Sequence, residues 1–440
     1  MHNSFYKDLD LILSEELEEK SSLIATYYSL SEIFTMVVQT AVKDSVETFS
    51  GMAAMLDYVF KVYPLDRVHF RPLQNFRSFV RQFPKRDNDT EEQVFLETLK
   101  SRLPDDVRCI AHLIQAVYNC PIPSFLSQKL VRTYQRIPFH KGRLLSSYLR
   151  VVVNSVDEQF IYCSVLNEEE PEELKVKYDF EFYSGCNWNY LKTILVPYSQ
   201  LNLIKPRKEE GVVFPEMIIF QPDYLVDISA IASCFKPYGN NFLNRLIDRI
   251  RPKETTVPIL LGKFAGQLLD EALHSLLIDY KTSVKTFFKT NAVDIALIDE
   301  EDLMDFHQAA KVQMANIQQF FQRQQFLGRE ESRLNLQVEP SFFSEMLGLQ
   351  GRMDLLSFSS VHTFVFEQKS GKMDEYHGKM REEHYVQILL YMLLLHYNYD
   401  LSYEQQMSCY LFYSKYDLSQ GLIRITNAPQ LLFEAIRLRN

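Results

Sequence analysis

The sequence predicts a mixed α/β protein built in three successive parts: a helical segment, a small β-barrel, and an α/β core. Three observations carry that prediction. Apolar residues recur at helical spacing over residues 1–142, short β-rich runs crowd 143–225, and strands alternate with amphipathic helices over 226–440.

A chain of 440 residues exceeds one ordinary hydrophobic core, so two or three domains are expected. Its 46% hydrophobic and 24% charged residues are those of a soluble globular protein. The net charge of −10 removes any argument for polyanion binding from overall charge, leaving only local clusters of Arg and Lys. Carboxylates that hold a metal would inflate this acidity, since the ion cancels part of it. No apolar run reaches the roughly 18 residues that span a bilayer, and the opening Met1-His2-Asn3-Ser4 is no secretory signal, so no membrane association and a cytoplasmic location are expected. The six cysteines (109, 120, 163, 186, 234 and 409) form no close pair, which predicts reduced, mostly buried thiols.

Taken in order, the helical part (1–142) shows its apolar faces at Leu9, Leu11, Ile12 and Leu17, then at Ile110, Leu113, Ile114 and Val117, with Pro104, Pro121 and Pro123 as punctuation. Arg67, His69, Arg71, Arg77, Arg81, Lys85 and Arg86 alternate with Phe70, Phe76, Phe79 and Phe83. That stretch reads first as a helix with an aromatic core side and a solvated basic side, and second as a phosphate-binding surface.

Residues 143–225 carry β-rich runs at Tyr148–Val153, Gln159–Leu166 and Val176–Phe182, with shorter ones near Leu191–Val196 and Glu216–Phe220. About five such strands predict a small barrel, OB-like, for which Tyr178, Phe182, Trp188 and Tyr190 are either base-stacking candidates or plain core.

In the third part, 226–440, Pro222–Ala232 reads as a linker and first helix, and Gly266–Glu271 begins an amphipathic helix. Residues 275–330 form a helical insertion ending in Gln318, Gln319, Gln322, Arg323, Gln324 and Gln325, a polar face read first as solvated and second as suited to backbone contacts. Met407–Ser414 reads as a strand and 428–438 as a terminal helix.

The chemistry lies between Gly351 and Tyr391. Gly351–Phe358 and Val361–Lys369 flank Ser359-Ser360, which predicts a hairpin with Asp354 opposite Val365 and Glu367 as its diagonal neighbour. Alternation puts Thr363, Val365, Glu367 and Lys369 on one face and Phe364 and Phe366 on the other. A helix from about Gly378 to Tyr397 then brings His384, Gln387 and Tyr391 onto one stripe. Two neighbouring carboxylates suit one hard divalent cation, Mg2+ or Mn2+, which activates water and neutralises charge on a phosphate. Lys369 orients or deprotonates that water and stabilises the transition state, while Gln387 and Tyr391 offer hydrogen bonds to the strand being cut.

Asp354, the Glu367-x-Lys369 pair and Gln387-x-x-x-Tyr391 resemble, in order and spacing, motif II, motif III and the QxxxY motif of RecB-type PD-(D/E)xK nucleases. The resemblance covers about residues 222–440 and implies a restriction-endonuclease-like core. It further implies catalytic roles for Asp354, Glu367, Lys369, Gln387 and Tyr391, and metal ligation by Asp354, Glu367, the backbone carbonyl of Gln368 and Asp270. In the family a histidine of G-x-x-x-H-E ligates the metal; Asp270 occupies its place here, with His274 one turn further on the same face. Arg352, Lys372 and His384 are candidates for nucleic-acid contact. Pro222–Ala232 resembles the start of the nuclease core in nuclease-helicases that trim flaps and resect DNA ends. Such nucleases often carry a four-cysteine iron–sulfur cluster; only Cys234 and Cys409 match, so no cluster is expected.

The resulting expectation is an Mg2+- or Mn2+-dependent deoxyribonuclease acting on single-stranded or flap DNA in replication or repair. The alternative is a catalytically impaired DNA-binding or scaffold module that keeps the nuclease fold. No G-x-x-x-x-G-K-[ST] loop occurs, so a superfamily 1 helicase partner is expected either in cis, as a missing C-terminal part, or in trans.

Overall fold

The computed structural model describes residues 2–14, 20–80, 89–130, 142–166, 173–183, 186–252, 255–274, 277–322, 336–358, 362–374, 380–402 and 407–440. The chain forms two compact units, Met1–Pro138 and Phe139–Asn440.

The first unit is mainly helical, with the helices Lys20–Val42 and Asp89–Tyr118 as its longest members and one two-residue strand, Thr48–Phe49. Leu30, Phe34, Val37, Leu73, Phe76 and Leu113 lie in its core. Pro104, expected as punctuation, instead lies inside the helix Asp89–Tyr118. Buried polar contacts hold that helix across it: the Tyr27 hydroxyl and Arg102 both reach Asp106, at 3.1 and 3.4 Å. Within the basic stretch, Phe70 and Phe76 are core residues and His69 is buried. Residues 81–88, with Arg81, Phe83, Lys85 and Arg86, lie outside the described residues, as do the side chains of Arg67, Arg71 and Phe79.

Residues 143–225 and 226–440, read from sequence as separate domains, lie in one unit and share one hydrophobic cluster, from Val151 and Trp188 through Leu390 to Phe433. The expected barrel is an open sheet of eight strands. Its order is Met217–Phe220, Gln200–Ile204, Tyr148–Val156, Phe160–Val165, Glu173–Lys177, Val212–Phe214, Arg207–Glu209 and Arg143–Leu144. The end strands Met217–Phe220 and Arg143–Leu144 do not pair with each other, so the sheet does not close. Strand runs are visible locally, whereas closure depends on which distant edges meet. The run near Leu191–Val196 is a 3₁₀ turn, Asn189–Thr193.

Of the two readings open for the aromatic residues of this sheet, the core reading holds for Tyr178 and Trp188. Tyr178 and Trp188 are 1% exposed, and the Trp188 ring packs 4.8 Å from Phe433. Tyr190 is held by Asn440 at 2.9 Å, while the Phe182 side chain lies outside the described residues. A buried ring cannot present its face to a base, so Tyr178 and Trp188 serve as core.

The second sheet of this unit places five strands in the order Leu422–Ile425, Met407–Tyr413, Thr363–Lys369, Leu355–Ser357 and Leu336–Val338. Thr363–Lys369 runs parallel to Met407–Tyr413 and antiparallel to Leu355–Ser357. A smaller sheet joins Val226–Asp227, Leu349–Arg352 and Ser341–Ser344. Thr363–Lys369 is buried on both faces from Thr363 through Gln368, although only Phe364, Val365 and Phe366 are apolar. Phe364 and Phe366 cluster with Phe264 and Leu268 of the helix Val257–His274 and with Phe320 of the helix Glu300–Gln322. Val365 packs instead against the cluster that contains Val386, Ile388 and Leu390 of the helix Glu382–Tyr399.

The helical insertion leaves Gln322 exposed and Gln318 and Gln319 half-buried, while its other side forms a wall of the core. Its Phe306, Gln313, Ile317 and Phe320 are buried. The Gln313 amide donates to the Ser370 carbonyl at 3.3 Å and accepts from the Ser414 hydroxyl at 3.0 Å, latching this helix to the end of the central strand. Residues 323–335, with Gln324 and Gln325, lie outside the described residues.

Candidate active site

The central strand Thr363–Lys369 supplies Glu367 and Lys369 on one face, and its antiparallel neighbour brings Asp354 beside them. The register pairs Leu355 with Phe366 and Ser357 with Phe364. Continued by one residue, it sets Asp354 level with Glu367, where the turn read at Ser359-Ser360 had set Val365. Residues 359–361 lie outside the described residues. The shift is two residues along the partner strand, so the shared face expected from alternation survives while the diagonal becomes a direct juxtaposition. The Asp354 carboxylate accepts the Gln368 backbone N–H at 2.7 Å, and its own carbonyl accepts the Glu339 N–H at 3.0 Å.

One chain of hydrogen bonds ties the strand to the helix Glu382–Tyr399. Lys369 Nζ donates to Glu367 Oε1 at 2.7 Å and to Gln387 Oε1 at 2.9 Å. Gln387 Nε2 donates to Glu367 Oε1 at 2.7 Å and to the Tyr391 hydroxyl at 3.1 Å. Tyr391 in turn donates to the Arg352 carbonyl at 2.5 Å, pinning the strand that leads to Asp354. Gly351 is needed for this closeness, because a Cβ there would stand 2.9 Å from the Tyr391 ring.

Burial sets the electrostatics. Glu367 is 2% exposed. Desolvation, helped by the charge of Glu367, pushes the Asp354 carboxyl up to about 7 against the opposing effects of Lys369 and the Gln368 N–H. Burial works against the Lys369 ammonium, but the charges of Glu367 and Asp354 outweigh it and hold the group above its ordinary value. Among the described residues Glu367 Oε2 is buried with no hydrogen-bond partner. A buried carboxylate oxygen with no hydrogen-bond partner, beside a second carboxyl driven toward neutrality, is the oxygen donor set that a hard cation takes. Asp354 and Glu367 therefore fit a divalent metal.

The other expected residues are placed less simply. Asp270 does not join this pair: its side chain is 57% exposed and lies 3.5 Å from His274 of its own helix. That helix covers the Phe364 and Phe366 face of the sheet, whereas Glu367 and Lys369 project from the Val365 face. Among the described residues no three His, Cys, Asp or Glu side chains converge as a metal-holding group. Gln368 contributes its N–H to Asp354, and its side chain points to the opposite face, toward Ser414.

His384, expected as a nucleic-acid contact, is mostly buried. Desolvation first, then the charges of Lys369, Arg381 and Lys236, push it down to about 2. Its Nδ1 lies 2.8 Å from the Tyr413 hydroxyl, which also accepts the Arg381 N–H at 3.0 Å. A neutral, buried imidazole is a brace for the helix start and brings no positive charge to a phosphate. Arg352 is 62% exposed and pairs with Glu339 at 3.1 Å. Lys372 is exposed just past the central strand.

Sequence reasoning missed two groups near this centre. Glu339 lies in the turn before Pro340 with a positive φ of 48° and adds its charge to the field on Asp354. Its one sequence signal is an acidic residue placed before a proline where that backbone is disfavoured. Lys236, 3.1 Å from Glu383, had no signal at all.

Fold and site together define a mixed α/β unit with a two-carboxylate, one-lysine centre suited to phosphodiester chemistry with a hard cation. Residues 240–431 match the family model of the PD-(D/E)XK nuclease superfamily, whose members are usually metal-dependent nucleases. No curated protein matches the chain. Cys234 and Cys409 are buried free thiols, and among the described residues no helix is long and apolar enough to cross a membrane.

Proposed function

We propose that this protein is a Mg2+- or Mn2+-dependent deoxyribonuclease that cuts single-stranded or flap DNA in replication or repair. The observation that carries the reading is the pairing of Asp354 with the orphaned Glu367 oxygen beside a lysine held charged in the same network. Asp354 and Glu367 would hold the cation, which when bound would supply an activated water and neutralise charge on the phosphate. Lys369 contributes a fixed positive charge next to the reacting oxygens, where developing charge is largest. Gln387 orients that ammonium and the Glu367 carboxylate, and Tyr391 holds the Arg352 carbonyl, so the Asp354 strand keeps its distance from Glu367. Arg352 and Lys372 lie exposed near the two ends of the centre and supply contacts to the phosphate backbone. A superfamily 1 helicase, in the same polypeptide or as a separate subunit in the cytoplasm, would deliver the single strand.

A second reading, a DNA-binding module with impaired catalysis, is favoured by one observation: Asp270 stands apart from the carboxylate pair. Incubating the purified chain with end-labelled single-stranded DNA and either ion separates the two. Cleavage that Asp354→Ala abolishes supports the nuclease; binding without cleavage in both ions supports the module.

A further inference from the structure

The helix Phe242–Ile250 is turned inside out. Phe242, Leu243, Leu246, Ile247 and Ile250 share one arc of about 140° at 100° per residue, and all are exposed, Phe242 at 59% and Ile250 at 83%. The residue facing inward is Asn244, buried, whose amide donates to the carbonyls of Cys234 at 2.9 Å and Gly239 at 3.2 Å. Asn241 caps the start through a bond from the Leu243 N–H at 2.9 Å. The helix is thus anchored by polar groups while its apolar stripe stays in water, the reverse of an ordinary surface helix. Contiguous exposed apolar surface of this kind marks an interaction site.

We propose that this face docks an amphipathic helix with acidic flanks, presented by a partner protein. The charges select the occupant. Arg245 and Arg249 follow one edge of the arc, and Arg251 closes its end. A second copy packed antiparallel about a two-fold axis would set this arginine edge against itself. The chain's net charge of −10 opposes an anionic lipid surface. Nucleic-acid phosphates match the arginines, but four of the five apolar side chains are aliphatic and offer a base no aromatic face. An acid-flanked helix satisfies the apolar arc and the basic edge together. Lys236 lies 3.7 Å from Asp248, off the apolar arc, and 3.1 Å from Glu383 of the helix that carries Gln387 and Tyr391, so the side of this helix turned from the docking face is tied to an element of the candidate active site.

The test uses the full chain and two fluorescein-labelled synthetic helices with identical leucine stripes, one flanked by glutamates and one by lysines. Anisotropy titration is expected to show the glutamate-flanked peptide binding at least tenfold more tightly. Leu246→Glu and, separately, Ile250→Glu should each weaken it tenfold or more without changing the melting temperature, because both side chains already face water. Arg245→Glu with Arg249→Glu should reverse the preference toward the lysine-flanked peptide. Equal binding of the two peptides, binding of neither, or indifference to Leu246→Glu overturns the proposal. So does a dimer in sedimentation, binding to phosphatidylglycerol vesicles, or binding to a thymidine oligonucleotide that is lost in Leu246→Glu, since each assigns the face to another occupant. None of these readouts depends on DNA cleavage.

Discussion

Replacing Asp354 with asparagine should stabilise the metal-free protein, although it removes a residue of the candidate active site. The buried Asp354 carboxyl is raised from 3.8 to about 7, chiefly by desolvation and then by the charge of Glu367. A carboxyl raised in the folded state favours folding in its protonated form. Its contribution is complete below about pH 4 and is lost as pH climbs through about 7. Three pKa units at about 1.4 kcal/mol each make the ionised form roughly 4 kcal/mol unfavourable above that pH. The asparagine side chain has the same shape, keeps an oxygen to accept the Gln368 N–H, and never ionises. The variant's advantage should therefore grow by about 1.4 kcal/mol per pH unit from about 4 to 7 and level off above. At roughly 2 °C per kcal/mol for a unit of this size, the plateau is about 8 °C. Calorimetry or dye-based melting in EDTA across pH 5 to 8.5 measures it, and repeating the melts with Mn2+ should stabilise the wild-type protein only. A variant that melts at or below the wild-type temperature at pH 8 in EDTA, or that gains as much from Mn2+, would refute the reasoning.

Three further outcomes follow from the same geometry. Lys369→Ala should keep its cation affinity in calorimetric titration yet lose about 10² or more in cleavage rate, the effect of removing one charge-stabilising group; collapse of ion binding would make Lys369 a structural residue. Asp270→Asn should leave Mn2+ affinity within about twofold of wild type, because that carboxylate is exposed and tied to His274; a tenfold loss would return it to the ligand set. Gly351→Ala should cost about 1–3 kcal/mol of stability, the usual range for overpacking, since the new methyl would stand 2.9 Å from the Tyr391 ring; an unchanged melting temperature would show that the Tyr391 helix is freer than its contacts imply.

What the sequence determined by itself was which side chains share a face or a stripe at the candidate site. Glu367 and Lys369 share a face because side chains alternate along any strand, and Gln387 and Tyr391 share a stripe because four residues make nearly one helical turn. Those periodicities hold whatever the rest of the chain does, so the carboxylates, the lysine and the QxxxY pair could be read without coordinates. Tertiary structure decided everything that needs two distant segments to meet. The register that sets Asp354 beside Glu367 rests on strand pairing and on the Gln368 N–H, so a turn read from two serines placed it two residues away. Asp270 had the spacing of a ligand, but its apolar neighbours Phe264 and Leu268 draw its helix onto the Phe364 and Phe366 face, away from the carboxylates. Trp188 could be read as stacking residue or core, and Phe433, remote in the chain, decides for core by packing against its ring. The eight-stranded sheet stays open because its end strands never meet, a fact no single strand encodes. Periodicity is written in neighbouring residues, whereas desolvation, register and closure are properties of surfaces that come together only when the chain folds.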